Sequence, residues 1–63
     1  MAKTNVKVKL SGEDGNAFAV IGKVAKGLRK AGHDDLAKQY REEAMTGDYD
    51  HLLRLSMEYV EVE

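Results

Sequence analysis

The chain contains no cysteine, no proline and no tryptophan among its 63 residues. Without cysteine it has neither a disulfide framework nor a thiolate zinc site, two common devices that stabilise small domains. A chain this short buries only about 60% of the surface that its unfolded form exposes. Self-association is a further common source of stability, and we therefore expect a homo-oligomer.

Long apolar runs are also absent. The longest, from Ala17 to Ile21, is far shorter than the ~20 residues that a membrane-spanning helix requires. The first residues lack the charged-then-apolar layout of a secretion signal. We therefore expect a cytoplasmic protein of the bacterial host cell, with no membrane partner.

Charge is nearly balanced overall but unevenly distributed. The formal net charge is −1, yet residues 1–31 hold seven Lys or Arg against two acidic residues, and residues 32–63 hold three against nine. The low net charge places nucleic acid last among the partners considered. The basic half predicts contact with an anion, an acidic protein surface or the acidic half of another subunit.

Both ends of the chain alternate apolar and charged residues, the pattern of half-buried strands. We predict strands at about 5–10 and 58–62 that pair with each other in a direction the pattern leaves open. In the second strand, Tyr59 is expected on the outer face, free to contact a partner. The charged residues expected to face each other are Lys7 and Lys9 on one strand and Glu61 and Glu63 on the other.

Between the strands, apolar residues recur at spacings of three and four, which indicates amphipathic helices at about 16–31, 34–46 and 48–57. The predicted fold is therefore a single α+β domain over residues 1–63. Its order is β-α-α-α-β, with three helices packed on a small sheet formed by the terminal strands. The expected N-caps are Asp14 or Asn16 for the first helix, Asp34 or Asp35 for the second, and Asp48 for the third.

Two glycines, Gly22 and Gly27, lie inside the first predicted helix, where each costs roughly 1 kcal/mol relative to alanine. On a helical wheel, Gly22 falls in the polar arc and Gly27 at the opposite edge. An exposed glycine lets a ring, a backbone or a phosphate approach the helix, and nearby cations attract anions. The candidate binding face comprises Phe18, Ala19, Gly22, Lys23, Lys26, Arg29 and Lys30. Close packing of another helix, from this chain or a dimer mate, is the alternative explanation.

The remaining motifs favour structural roles. The segment GEDGN at 12–16 lacks the Gly-Lys-Ser/Thr ending of a phosphate loop and carries Glu13 and Asp14, which would repel phosphate. We interpret it as a strand-to-helix turn. Tyr40 and Tyr49 fall on apolar arcs, which predicts that they belong to the core.

No pattern for catalysis or metal binding is present in the sequence. The Asp and His residues at 33–35 and 48–51 match neither the zinc-binding H-E-x-x-H helix nor the calcium loop, and capping explains them. Ser11 and Ser56 are the two serines, and the sequence places neither near a histidine. We therefore expect no enzyme, no metal site and no cofactor.

The segments VKVKLSGEDGNAFAVIGKV, LRKAG and GDYDHLLRLSMEYVEVE resemble a family of very short, mostly uncharacterised proteins of bacteria, bacteriophages and mobile elements. DGNAF followed by GDYDHLL carries most of the resemblance, which spans nearly the whole chain. The resemblance implies a small accessory protein that acts by binding its target stoichiometrically. By analogy with phage proteins of this size, it implies anti-defence action, by sequestering a nucleotide-like signal or by blocking a host protein.

Two hypotheses follow from the sequence. The first is a non-enzymatic binding module, expected to act as a homo-oligomer, whose Gly22 face takes an anionic small molecule or an acidic protein surface. The second is a self-associating protein without a small-molecule ligand, in which the basic half of one subunit meets the acidic half of the next.

Overall fold

The computed structural model describes residues 2–12 and 15–63 and confirms the β-α-α-α-β fold. The three helices pack together with a small sheet formed by the terminal strands. Each helix begins and ends within two residues of its predicted bounds. Glu13 and Asp14, which belong to the predicted turn, lie outside the described residues. The elements are β1 Lys7–Val8, α1 Ala17–Lys30, α2 Asp34–Ala44, α3 Tyr49–Tyr59 and β2 Glu61–Val62.

The two strands are parallel, as expected when three successive helices each reverse the chain between them. Lys7 lies opposite Glu61 and Val8 opposite Val62. The Glu61 N–H donates to the Val6 carbonyl at 2.8 Å. Both strands are shorter than predicted, because α3 continues through Tyr59 and only the residues beyond it are free to pair.

Side-chain caps begin α1 and α3. The Asn16 Oδ1 accepts from the Ala19 N–H at 3.1 Å, and the Asp48 Oδ1 accepts from the His51 N–H at 2.9 Å. The capping positions proposed at Asn16 and Asp48 are thus confirmed. Each cap satisfies one of the N–H groups that a helix start leaves unpaired.

The predicted cap of α2 at Asp34 or Asp35 is wrong. The N-cap is His33, which makes no side-chain capping bond, and the two aspartates occupy the first turn of the helix. The tight end of α1 explains the shift: Gly32 adopts φ +86°, and the His33 N–H donates back to the Leu28 carbonyl at 2.8 Å. The aspartates still stabilise α2 through its dipole.

The core lies between α1, the other helices and the sheet. α1 is the central helix, because it contacts α2, α3 and β1. The buried apolar residues are Val8, Leu10, Val20, Ile21, Val24, Ala25, Leu28, Ala37, Tyr40, Ala44, Leu52, Leu55, Tyr59 and Val60.

The prediction for Tyr59 is also wrong: its side chain is fully buried. As the last residue of α3 it follows the helical period of Leu55 and Ser56 rather than the alternation of a strand. The Thr4 hydroxyl donates to the Tyr59 carbonyl at 2.8 Å. The Tyr59 ring meets the Tyr40 ring edge-on, with centroids 5.3 Å apart.

Tyr59 gives the stability of the protein a specific pH dependence. Burial, followed by the hydrogen bond and charge of Glu43 and the charge of Glu58, raises the pKa of Tyr59 to about 12 from a normal 10.0. Burial also raises the pKa of Tyr40, against the opposing effect of its bond to Ser56. The native state therefore disfavours tyrosinate. This stabilisation is complete below pH ~10 and is lost as the pH rises through the native pKa values.

We accordingly expect the melting temperature to fall as the pH is raised from 10 towards 12, and to fall less in Tyr59→Phe. Thermal melts followed by circular dichroism measure this. Lysine deprotonation affects both proteins alike. The difference between their falls in melting temperature therefore measures the effect of ionising the Tyr59 hydroxyl. An identical decline in the two proteins would contradict the assignment.

Candidate functional site

The exposed side of α1 contains an aromatic residue and an open glycine. Phe18 is 78% exposed, and Gly22 is exposed one turn further along the helix. A Cβ atom built on Gly22 would meet nothing within 4 Å among the described residues. Gly22 also has helical backbone geometry, so neither packing in this part of the chain nor an unusual φ angle requires glycine there.

Gly27 has a different explanation. A Cβ atom there would lie 3.1 Å from Val8 Cγ2 and 3.3 Å from Val6 Cγ1, closer than ordinary van der Waals contact. The missing side chain therefore lets the first strand lie against α1. Of the two interior glycines, Gly27 serves internal packing and Gly22 does not.

The four cationic residues predicted around Gly22 point in different directions. Arg29 lines a groove beside α2, whereas Lys30 lines a cleft beside the N-terminal segment. The Lys23 ammonium donates to the Lys9 carbonyl at 3.1 Å. Lys26 is exposed. Ala19, a small residue of the predicted face, is half-buried. The cations are thus distributed around the exposed side of the helix rather than gathered at one point.

The groove beside α2 has a volume of about 320 Å³ and carries charges of both signs. Exposed Met45 contributes an apolar surface. Its lining residues are Arg29, Lys38 and Arg41, with Asp34, Glu42, Ala37 and Met45. Acidic and basic side chains are interspersed, so this groove does not select for ligand charge.

A second cleft lies between the N-terminal segment and the end of α1. It has a volume of about 670 Å³, and among the residues that the structure describes its lining contains three lysines and a histidine but no Asp or Glu. The lysines are Lys3, Lys7 and Lys30, and the histidine is His33. Sequence reasoning missed this cluster, because its members come from segments more than twenty residues apart. The positive charge of residues 1–31 was the one signal that pointed towards it.

The turn before α1 and the start of α3 meet in the structure. The Gly15 N–H, in the turn before α1, donates to the Tyr49 hydroxyl at the start of α3, at 2.9 Å. His51 packs over Gly47, where a Cβ atom would lie 2.8 Å from the His51 Nδ1. The bond from Gly15 to Tyr49 joins the starts of α1 and α3, and the contact of His51 with Gly47 packs the first turn of α3 against the residue before its cap.

The side chains that could bind a metal ion or act as a nucleophile were compared with the geometry that such chemistry requires. Among residues 2–12 and 15–63, no group of three or more His, Cys, Asp or Glu residues is placed to hold a metal ion. The Ser56 hydroxyl is fully buried, donates to the Leu52 carbonyl at 2.9 Å and lies 2.7 Å from the Tyr40 hydroxyl. Ser56 is therefore a structural residue of the core.

No helix in the described part of the chain has the length and apolar character needed to cross a membrane. Comparisons with protein-family models, curated proteins and solved structures find no match to this chain.

Proposed function

We propose that the protein is a non-enzymatic binding protein that acts stoichiometrically and presents the Gly22 face of α1 to an acidic surface on a partner protein. The observation that carries this proposal is the open glycine. Gly22 costs roughly 1 kcal/mol of helix stability, and no contact among the described residues explains its presence. An external group that approaches the helix closely gives this glycine a role.

The shape of the face favours a macromolecule over a small molecule. Small-molecule sites are concave, whereas Phe18 and Gly22 lie on the outward side of a regular helix. Exposed aromatic residues are enriched among the residues that dominate protein interfaces. The cations around this face, including Lys26, would attract an acidic partner and orient it.

The resemblance to short phage and mobile-element proteins suggests which partner to test first. It supports a host protein as the partner, including one that acts in defence against phage. Sequestration of a nucleotide-like signal at this face is the competing proposal, and the experiment below separates the two.

A second copy of the chain is the alternative partner. In the described part of the chain the sheet has two strands, Val62 is 39% exposed, and the basic and acidic halves of the sequence are complementary. A sheet this small leaves edges at which another strand could pair. Assembly of this kind should weaken as salt is added, because salt screens exposed charges.

Native mass spectrometry of protein purified gently from a bacterial host tests these proposals. The native mass is compared with the denatured mass for wild type, Gly22→Leu and the control Gln39→Leu, which adds the same side chain to an exposed position on α2. We expect a protein partner to be retained by wild type and Gln39→Leu and lost from Gly22→Leu. Undiminished partner binding by folded Gly22→Leu would refute the role of this face. Added mass of nucleotide size that is present in wild type and lost from Gly22→Leu would favour a nucleotide-like ligand at this face. A mass equal to a multiple of the chain alone would favour self-association.

Gly22→Ala separates the effect on binding from the effect on folding. We expect it to raise the free energy of unfolding by about 1 kcal/mol, since alanine favours the helix and its Cβ meets open space. The same methyl group should weaken partner binding. Urea unfolding curves measure the first effect, and a variant less stable than wild type would contradict the described environment of Gly22.

A further inference from the structure

The cleft beside the N-terminal segment has the charge expected of an anion-binding site. Its lining holds Lys3, Lys7, Lys30 and His33, and no acidic residue of the described ranges 2–12 and 15–63 lines it. Lysine ammonium groups and a histidine ring N–H donate hydrogen bonds to phosphate oxygens. From this grouping we propose that the cleft binds a small phosphorylated molecule, at a site that shares Lys30 with the face predicted around Gly22 but contains neither Gly22 nor Phe18.

The walls of the cleft are held in place by the fold. The buried Thr4 hydroxyl donates to the Tyr59 carbonyl at 2.8 Å and accepts from the Val6 N–H at 3.1 Å. The Lys3 N–H donates to the Glu58 carbonyl at 2.7 Å. These bonds fix the N-terminal segment to the end of α3. A ligand therefore does not have to order this wall, which lowers the entropic cost of binding.

The end of α1 would ordinarily oppose an anion, because the last carbonyls of a helix carry partial negative charge. Here two of these carbonyls are paired with N–H groups that follow the helix. The Gly32 N–H donates to the Arg29 carbonyl at 3.0 Å, and the His33 N–H donates to the Leu28 carbonyl at 2.8 Å. Pairing satisfies these acceptors and reduces their repulsion of a phosphate group.

Two of the lysines already have favourable neighbours. The Lys3 ammonium lies 4.3 Å from the centroid of the Tyr59 ring, and Lys7 lies opposite Glu61 in the sheet. A ligand must compete with these contacts. A multiply charged phosphate or diphosphate is therefore favoured over a singly charged carboxylate, since it interacts with several cations at once.

The rest of the cleft accommodates an uncharged portion of the ligand. The cleft is shallow and widely open to solvent, and its volume of about 670 Å³ lies within the range of ~300–1,000 Å³ of small-molecule sites. Ala2, Val6, Gly27 and Ala31 provide apolar surface, and the Asn5 side chain provides an amide. The ligand class is thus a phosphate or diphosphate ester of a compact organic group, for which ADP is a suitable probe.

A titration followed by two-dimensional NMR tests the proposal. Labelled protein is titrated with ADP and, separately, with inorganic pyrophosphate at low salt. We expect saturable shifts of the backbone amides of residues 3–7 and 27–33 with both probes, larger with ADP. Absence of saturable shifts up to about 10 mM, a range that includes weak binding, would overturn the proposal.

Charge-neutralising variants identify the site. We expect Lys7→Gln and Lys30→Gln each to weaken ADP binding about tenfold, the effect of losing one charge-assisted hydrogen bond. The control Lys38→Gln removes an exposed lysine of α2 that does not line this cleft and should bind within about twofold of wild type. Equal weakening by all three variants would indicate diffuse charge attraction and would overturn the site. Gly22→Leu should bind ADP as wild type does. If wild type does not bind ADP in the cleft, the proposal for partner binding at Gly22 is unaffected.

Discussion

Tyr59→Ala is expected to lower the free energy of unfolding by about 3–5 kcal/mol, the usual range for removing a large aromatic side chain from a core. Marginal stabilities of ~0.05–0.15 kcal/mol per residue make such a loss comparable with the whole stability of a 63-residue chain. The variant should therefore be largely unfolded at room temperature. Circular dichroism and urea titration measure the loss.

The size of this effect comes from the position of Tyr59. Its ring has no solvent-exposed surface and lies edge-on to Tyr40 of α2. Its carbonyl accepts from Thr4, and its hydroxyl donates to Glu43 at 3.2 Å. The residue thus connects α2, α3 and the N-terminal segment, and an alanine would leave a cavity between them.

Tyr59→Phe is the matched control. It retains the ring and loses the partly buried hydrogen bond to Glu43, so we expect a change of no more than about 1 kcal/mol. A Tyr59→Ala variant that unfolds cooperatively with a melting temperature close to that of Tyr59→Phe would contradict the proposed cavity.

Gly27→Leu is expected to destabilise the protein by about 1–3 kcal/mol or more, as overpacking of a filled site does. The Cβ atom alone would lie 3.1 Å from Val8 and 3.3 Å from Val6, and the rest of the leucine side chain needs further space. The strand must then move away from α1. Amide hydrogen exchange at Glu61 and Glu63, whose N–H groups donate to the first strand at 2.8 Å, should accelerate.

Gly22→Leu is the matched control for Gly27→Leu. Both variants replace a glycine of α1 by leucine, so they differ in the surroundings of the new side chain. At Gly22 the new side chain enters open space, and leucine favours the helix over glycine. We therefore expect Gly22→Leu to be at least as stable as wild type. Similar stabilities for the two leucine variants would show that the close approach at Gly27 does not constrain the fold.

The candidate sites differ in how far the sequence predicts them. The helical period alone predicts the exposure of Gly22, and the structure places it on the surface. Phe18 falls at the apolar arc of the same helix by that period, and its 78% exposure is decided by the tertiary packing. The cleft joins Lys3 and Lys7 to Lys30. The proximity of these lysines depends on how the first segment crosses α1, and local periodicity contains no information about that crossing.

The sequence by itself determined the number, order and approximate limits of the helices, because apolar spacing and capping side chains act over a few residues. It also predicted that the terminal strands pair, because their alternating patterns are complementary. The last strand shows the limit of such patterns: an alternating segment is also compatible with the final turn of a helix, and α3 in fact extends through Tyr59.

Tertiary structure alone decided the burial of Tyr59, the close approach of Val8 to Gly27 and the convergence of lysines from distant segments. Each of these depends on contacts between residues far apart in the chain. Such contacts form when the apolar faces of α1, α2 and α3 pack together, because packing sets the positions of whole elements relative to one another.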